Sequence, residues 1–165
     1  MRHLEESVHI EAPPERVFAC ADDHRQLASH MNRRSWMIGN QPMETLLDAE
    51  RGQAVGSHIR MSGKFLGVRL ELDEVVTERQ APHRKKWETV GVPRLIVIGP
   101  YQMGFTIDPE GTGSRLRVFI HYDLPARGAW LGRLFGGFYA RWCVWQMLRG
   151  VSDAFVATSG NLGKE

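Results

Sequence analysis

The sequence predicts a single α+β domain, residues 1–165, in which an antiparallel sheet of about seven strands wraps around a long C-terminal helix. Two observations support this prediction. From about residue 43 to residue 124, apolar residues recur at every second position, in runs separated by connections of hairpin length. From residue 131 to residue 159, they recur at steps of three and four instead. Because a helix this apolar must be shielded from water, the sheet must supply a concave apolar surface for it to pack against.

The first part of the chain predicts one strand followed by two short helices. Residues 7–11 alternate between polar and apolar, as a half-buried strand does. The sequence Ala-Pro-Pro-Glu at residues 12–15 ends that strand and begins a helix, since proline suits the first helical turn. Asp23 and Gln26 resemble a capping box, which predicts a second short helix through Met31.

Six further strands are predicted before the long helix, over residues 43–49, 55–65, 68–73, 85–89, 94–108 and 115–124. Their alternation places residues such as Leu70 and Leu72 inward, and Glu71 and Asp73 in water. We expect the first strand to pair with the last, which gives a helix-grip arrangement. The stripe of the long helix that faces the sheet is predicted to include Phe138.

Composition excludes several classes of protein. The hydrophobic fraction of 42% and charged fraction of 24% are globular values, and a net charge of +2 gives no indication of nucleic-acid binding. Cys20 and Cys143 lack metal or redox spacing, which is typical of thiols in a reducing compartment. The N-terminus has no apolar stretch of signal-peptide type, and no run of about eighteen apolar residues exists. We therefore expect a cytoplasmic protein.

Two stretches resemble a known family. Val8 to Phe18 resembles the opening strand and "AP-x-x-x-V-[FW]" helix start of the START-like (SRPBCC) superfamily. Tyr122–Pro125, followed by Gly128 and Leu131–Leu134, is similar to its polyketide cyclase/dehydrase-like branch. The resemblance implies a START/Bet v1-like fold with a cavity between sheet and helix. That cavity would take an apolar small molecule, often aromatic or isoprenoid. The resemblance implies no set of catalytic residues.

The candidate ligand-binding residues are bulky side chains that the pattern directs toward that cavity. Tyr101 and Tyr122 are the expected polar contacts, because a buried phenol needs a hydrogen-bond partner and can orient a ligand carbonyl or hydroxyl. For each residue, simple core packing remains the alternative. The full predicted set is Met61, Trp87, Tyr101, Met103, Tyr122, Phe138, Trp142 and Trp145.

Other kinds of site find little support in the sequence. The seven histidines show no metal-binding spacing, and no serine lies in a G-x-S-x-G context, so we expect neither a metal nor another cofactor. Arg149 has two interpretations: an exposed arginine at the rim, or a buried one that binds a ligand carboxylate. Glycines between Gly128 and Gly137 weaken the start of the long helix, which predicts the cavity mouth there.

Three functions fit these observations. The first is a carrier or sensor for a lipid, isoprenoid quinone or aromatic polyketide. The second is an enzyme of the polyketide cyclase or dehydratase type, which an acid–base pair inside the cavity would favour. The third is a protein that presents a quinone or lipid at a membrane surface. The membrane contact would be Trp130, Leu131, Leu134 and Phe135, beside Arg127 and Arg133. The sequence indicates neither the oligomeric state nor the identity of the ligand.

Overall fold

The structure, a computed structural model, describes residues 1–25, 44–65 and 67–159. These residues form seven strands and two helices. In chain order they are β1 (Arg2–Ile10), α1 (Pro14–Asp22), β2 (Glu44–Leu47), β3 (His58–Phe65), β4 (Val68–Gln80), β5 (Arg84–Thr89), β6 (Tyr101–Glu110), β7 (Gly113–Tyr122) and α2 (Ala129–Ser159). The second short helix, predicted through Met31, lies outside the described residues.

The strands form one antiparallel sheet in the order β1-β7-β6-β5-β4-β3-β2. β1 pairs with β7 along its whole length, from Arg2 opposite Tyr122 to Ile10 opposite Ser114. The pairing of the first strand with the last is therefore confirmed. α2 is one continuous helix of 31 residues, and it packs against β1, β7 and α1. The predicted helix-grip fold class is confirmed.

The core lies between the sheet, α1 and α2. Strand alternation is confirmed on β7, where every second residue from Leu116 to Tyr122 is buried. α1 begins at Pro14, as predicted, and inserts Val17 and Phe18 into the same core. The largest fully buried apolar side chains are Phe105, Ile59, Ile107, Leu116 and Ile120.

Several strand bounds differ from the prediction: β1 and β4 are longer than expected, β2 and β3 are shorter, and β6 differs most. The alternation from residue 94 to 108 predicted a single strand, but β6 begins only at Tyr101, and one isolated bridge joins Arg94 to Glu71. Prolines at 93 and 100 have no N–H to donate to a sheet. A side chain at Gly99 would come within 2.6 Å of the Leu124 carbonyl oxygen. The chain therefore leaves the sheet here and passes beside the start of α2.

The prediction of which face of α2 meets the sheet is wrong over residues 134–145. Phe138 is 75% exposed and Trp145 is 48% exposed, so both lie on the outer face. The buried face instead carries small and aliphatic residues, namely Gly132, Gly136, Ala140, Val144, Met147, Leu148 and Val151. Because apolar residues occur on every side of this helix, periodicity alone could not distinguish its inner from its outer face.

The glycines at the start of α2 allow close packing. A Cβ atom at Gly132 would lie 2.5 Å from Pro125 Cδ and 3.0 Å from the Val97 carbonyl oxygen. At Gly136 it would also lie 3.0 Å from that oxygen. Real Cβ atoms rarely approach other atoms so closely, so only glycine lets α2 sit directly on segment 97–98 and Pro125. That the cavity mouth lies here stays a prediction.

Candidate functional site

A carboxylic acid lies inside the fold, on the face of the sheet that α2 covers. Glu74 is on β4, in phase with Leu72 and Val76, and only 2% of it is exposed. It accepts a hydrogen bond from the Tyr101 hydroxyl and another from the Trp87 side chain. A buried carboxyl group is costly unless it is hydrogen-bonded, and these two donors supply that compensation.

The register of three strands brings Glu74 and Tyr101 together. Glu74 on β4 lies opposite Thr89 on β5. The Thr89 hydroxyl oxygen accepts the backbone N–H of Tyr101 on β6, at 3.1 Å. The pair therefore spans β5, and its position is fixed by sheet pairing.

The surroundings change the acidity of both groups. Burial raises the pKa of Glu74 to about 7, against the opposing effect of the hydrogen bonds from Tyr101 and Trp87. The charges of Asp73 and Lys85 act in opposite directions on that pKa. Burial, followed by the adjacent Glu74 charge, raises the pKa of Tyr101 well above its ordinary value. Near neutral pH, Glu74 therefore exists in both protonation states while Tyr101 stays a hydrogen-bond donor.

α2 adds two polar side chains that are electrostatically coupled to this pair. Tyr139 and Cys143, one helical turn apart, are hydrogen-bonded to each other. Burial raises the pKa of the Cys143 thiol to about 12, with a further contribution from the Glu74 charge. Cys143 and then burial raise the pKa of Tyr139 well above its ordinary value. We refer to Glu74, Trp87, Tyr101, Tyr139 and Cys143 as the inner polar cluster.

The cluster can exchange a proton and orient a polar group of a bound molecule. Glu74 can accept a hydrogen bond as a carboxylate or donate one as an acid, and Tyr101 can donate one. A carboxyl group with a pKa near 7 suits general acid or base chemistry at neutral pH. The cluster thus combines one titrating group with phenol and indole donors.

The predicted site residues separate into four groups. Trp87, Met103 and Tyr122 are buried in the core, and Tyr101 belongs to the inner polar cluster. Met61 and Trp142 are partly buried, on β3 and on the flank of α2. The Trp142 ring stacks on Tyr139, with centroids 5.8 Å apart.

The remaining two predicted residues, Phe138 and Trp145, lie on the outer face of α2 and do not face the sheet. Arg149 is exposed, with its guanidinium 4.5 Å from the Trp145 ring centroid. The interpretation of Arg149 as a buried ligand-binding arginine is therefore wrong.

A second buried polar group fastens α1 to the sheet. Lys85 on β5 is fully buried, and its Nζ lies 2.5 Å from Asp22 Oδ1 and 3.0 Å from His24 Nε2. Arg79 donates to the other Asp22 oxygen at 2.8 Å. Burial alone would raise the pKa of Asp22, but the hydrogen bonds from Arg79 and Lys85 lower it. Burial and the Lys85 charge lower the pKa of His24 to about 3.

Glu74 and Lys85 were not predicted as site or core residues, although the sequence contained a signal for each. Continuing the inward alternation of Leu70 and Leu72 by one step reaches Glu74. Lys85 shares its parity with the inward Trp87. A charged residue in an inward position is the observation that would have found both.

Two depressions of about 420 Å³ each also open on the surface. One lies between α1 and the β4–β5 turn and includes Asp22 and Arg79. The other is a charged groove that includes the contacting rings of His3 and His121. Neither is lined by Glu74 or Tyr101, and Asp22 and Arg79 of the first already pair with each other. We therefore take the inner polar cluster as the candidate site.

Metal-binding clusters and membrane-spanning helices are both absent from the described part of the chain. Within 1–25, 44–65 and 67–159, no three His, Cys, Asp or Glu side chains cluster so that they could hold a metal ion. No helix in these ranges is both long and apolar enough to cross a membrane.

The family comparison covers nearly the whole chain. The profile of a family described as "Polyketide cyclase / dehydrase and lipid transport" matches residues 1–157. No curated protein matches the sequence.

Similar solved structures agree in fold. The protein TTHA0849 from Thermus thermophilus is 20% identical with a TM-score of 0.68, over 96% of this chain and 99% of that one. Norcoclaurine synthase from Thalictrum flavum is 14% identical with a TM-score of 0.64, over 93% and 92%. Ara h 8.0201 is 8% identical with a TM-score of 0.62, over 94% and 98%. At these identities the likeness shows the fold alone.

Proposed function

Because the chain belongs to the polyketide cyclase / dehydrase and lipid transport family, we propose that it binds an apolar small molecule between the sheet and α2. The ligand is of the lipid, isoprenoid quinone or aromatic polyketide type, and the protein acts as its cytoplasmic carrier or sensor. The observation that supports this proposal most strongly is the hydrogen bond between Tyr101 and Glu74 inside the fold.

The burial of Glu74 supports a ligand-binding role for the pair. Glu74 is 2% exposed, and burial favours its neutral form so strongly that its pKa is raised to about 7. An apolar residue at that position would avoid the cost of desolvating a carboxyl group. Strongly perturbed acids in a fold interior are more frequent at functional sites than elsewhere.

The composition of the site suits an apolar molecule with one polar group. Trp87, Met103 and Tyr122 contribute buried apolar surface around the pair. Small-molecule sites are commonly built in this way, from apolar walls and a few polar groups that fix orientation. Tyr101 would donate to a ligand carbonyl, and Glu74 would accept from a ligand hydroxyl.

The test measures binding of three probes: oleic acid, decylubiquinone and 1,8-dihydroxyanthraquinone. Tyr101→Phe and Glu74→Gln change only the polar contacts, so affinity for the bound probe should fall roughly tenfold, the effect of losing one hydrogen bond. Phe138→Ala, on the outer face, is the matched control and should bind normally. If no probe binds, or if Tyr101→Phe and Glu74→Gln bind as tightly as the unaltered protein, the proposal fails.

An enzyme is the second candidate, favoured by the acidity of Glu74. In a cyclisation of the polyketide type, the Glu74 carboxylate would take a proton from a carbon between two carbonyls. Tyr101 would donate a hydrogen bond to the resulting enolate oxygen. The enolate carbon would then attack a second carbonyl, and the new alkoxide would regain the proton from Glu74.

Two measurements separate the enzyme from the carrier. For an enzyme, Glu74→Gln abolishes turnover of a linear poly-β-ketone while it still binds the probes, and the rate depends on pH with a midpoint near 7. For a carrier, the ligand is recovered chemically unchanged from both proteins. Native mass spectrometry of the protein and its bound molecule identifies the product or cargo in either case.

A further inference from the structure

The outer face of α2 carries an apolar surface that the fold does not bury. Five large apolar side chains on it are 47–75% exposed: Trp130, Leu134, Phe135, Phe138 and Trp145. Val156, 69% exposed, continues the same face near the end of the helix. From Trp130 to Trp145 this stripe is about 22 Å long at 1.5 Å per helical residue, and Arg149 and Asp153 separate it from Val156. Contiguous exposed apolar surface of this kind marks an interaction site.

The charges on the same helix are almost all positive. Arg133 and Arg149 are exposed, Arg141 pairs with Glu6 at 3.1 Å, and Asp153 is the one acidic residue between positions 129 and 159. Arg127 is exposed immediately before the helix. Arg149 lies over the Trp145 ring, 4.5 Å from its centroid, which leaves the cation beside the exposed apolar stripe.

We propose that this face docks on the surface of an anionic lipid bilayer. Tryptophan, phenylalanine and leucine beside arginine are the composition of helices that lie in the bilayer interface. Lipid phosphates complement the arginines. A second copy of the chain, docked symmetrically through the same face, would set these arginines against one another. The apolar side chains enter the acyl boundary, while Arg133 and Arg149 stay at the headgroups.

The docking surface extends beyond the residues that the sequence suggested. Trp130, Leu134 and Phe135 are exposed as a membrane contact requires, whereas Leu131 is partly buried. Phe138 and Trp145, which were expected inside the fold, lengthen the surface. The inference is independent of the inner polar cluster, because these side chains lie on the opposite side of α2. A protein that carried its ligand to a membrane would use both faces.

Vesicle flotation of the unliganded protein tests the proposal. Vesicles of phosphatidylcholine alone are compared with vesicles of phosphatidylcholine and phosphatidylglycerol, at low and high salt. Each arginine near an anionic surface strengthens binding roughly fivefold, so the mixed vesicles should be strongly preferred at low salt. Trp130 and Trp145 should shift their fluorescence to the blue as they enter the interface.

Two variants have matched controls. Leu134→Ser with Phe138→Ser removes apolar side chains and should weaken binding to the mixed vesicles at least tenfold. Leu46→Ser, 58% exposed on β2, is the apolar control. Arg133→Glu with Arg149→Glu should abolish the preference for anionic lipid, while Lys64→Glu on β3 should not. Thermal melts verify that each variant folds.

Three outcomes overturn the proposal. One is equal vesicle binding by the helix variants and their controls. Another is that the protein binds neither vesicle and light scattering shows a dimer. If the double variant Leu134→Ser/Phe138→Ser dissociates that dimer, a second copy of the chain covers the face. The third is no binding by a monomer whose outer α2 face is protected from hydrogen exchange, which assigns the face to another part of this chain.

Discussion

Tyr101 on β6 donates its phenolic hydrogen bond to Glu74 on β4, across the intervening strand β5. The acceptor is buried, and the backbone N–H of the donor residue is held by Thr89. This arrangement is the centre of the proposed ligand site, because it places a titrating acid and a fixed donor under α2. The energetic cost of burying Glu74 and the proposed contact of the pair with a ligand can be measured separately.

The pH dependence of stability measures the energetic cost of ionising Glu74 inside the fold. The pKa of Glu74 is about 7 in the fold against 4.5 for an ordinary glutamate, so the folded state holds the proton more tightly. The stability that Glu74 contributes is therefore present at low pH and is lost as pH rises from about 4.5 to 7. The loss is of the order of 3 kcal/mol.

Urea denaturation across and above that pH range provides the measurement, with Glu74→Gln as the reference. His24, whose pKa is lowered to about 3, affects stability in the opposite sense, so only the difference between the two proteins isolates Glu74. The unaltered protein should lose stability relative to Glu74→Gln up to about pH 7 and then level off. Parallel profiles would show that Glu74 titrates normally.

The buried ion pair of Lys85 and Asp22 predicts a large effect of breaking it. Lys85→Met should destabilise the fold by roughly 3–5 kcal/mol, because Asp22 keeps its buried charge and loses one partner. Lys86→Met on the same strand is the control: Lys86 pairs with Glu78 at the surface, so its loss should cost within about 1 kcal/mol. Equal chemical denaturation midpoints for the two variants would contradict this account of Lys85.

Gly132 and Gly137, two glycines in the first turns of α2, should respond oppositely to alanine. At Gly132 a methyl group meets Pro125 Cδ at 2.5 Å, so Gly132→Ala should destabilise by roughly 1–3 kcal/mol. At Gly137 the nearest neighbour is the Tyr122 hydroxyl at 3.7 Å, an ordinary contact. Gly137→Ala should therefore stabilise by up to about 1 kcal/mol through helix propensity. Thermal melts of the two variants provide the measurement. Destabilisation by both substitutions would mean that Gly137 is also closely packed.

Two phenylalanines distinguish the inner from the outer side of the fold. Phe105 is 0% exposed and contacts the rings of Phe18 and Trp87, so Phe105→Ala should cost roughly 3–5 kcal/mol. Phe138 is 75% exposed, and Phe138→Ala should change the free energy of unfolding by less than about 0.5 kcal/mol. A large loss at Phe138 in chemical denaturation would restore the inward placement that the sequence suggested.

The fold was predictable because it depends on signals that repeat. Alternation along seven strands, and the proline start of α1, each specify an element locally. The orientation of α2 was not predictable from periodicity, since aromatic residues occur on its outer face and small ones on its inner face. What decides the orientation is close packing of Gly132 and Gly136 against segment 97–98, a contact between residues far apart in sequence.

The candidate site was predicted only in part. Tyr101 was expected as a polar contact for a ligand, and it does reach a partner inside the fold. Glu74 was missed because the inward alternation on β4 was followed only as far as Leu72. Tyr139 and Cys143 were missed because their position depends on the orientation of α2. A local pattern shows which residues of a strand point inward, but which sheet and helix side chains meet depends on tertiary packing.

The most direct test of the proposed site is carbon-13 NMR of the glutamate side-chain carboxyls, with Glu74 assigned by its loss in Glu74→Gln. The Glu74 signal should titrate with a midpoint near 7, and should shift on addition of whichever probe binds. Dodecane, which has no polar group, should leave the signal nearly unchanged. A probe that binds while the Glu74 signal stays in place, or an ordinary midpoint near 4.5, would contradict the assignment of Glu74 and Tyr101 as the polar contact of the ligand site.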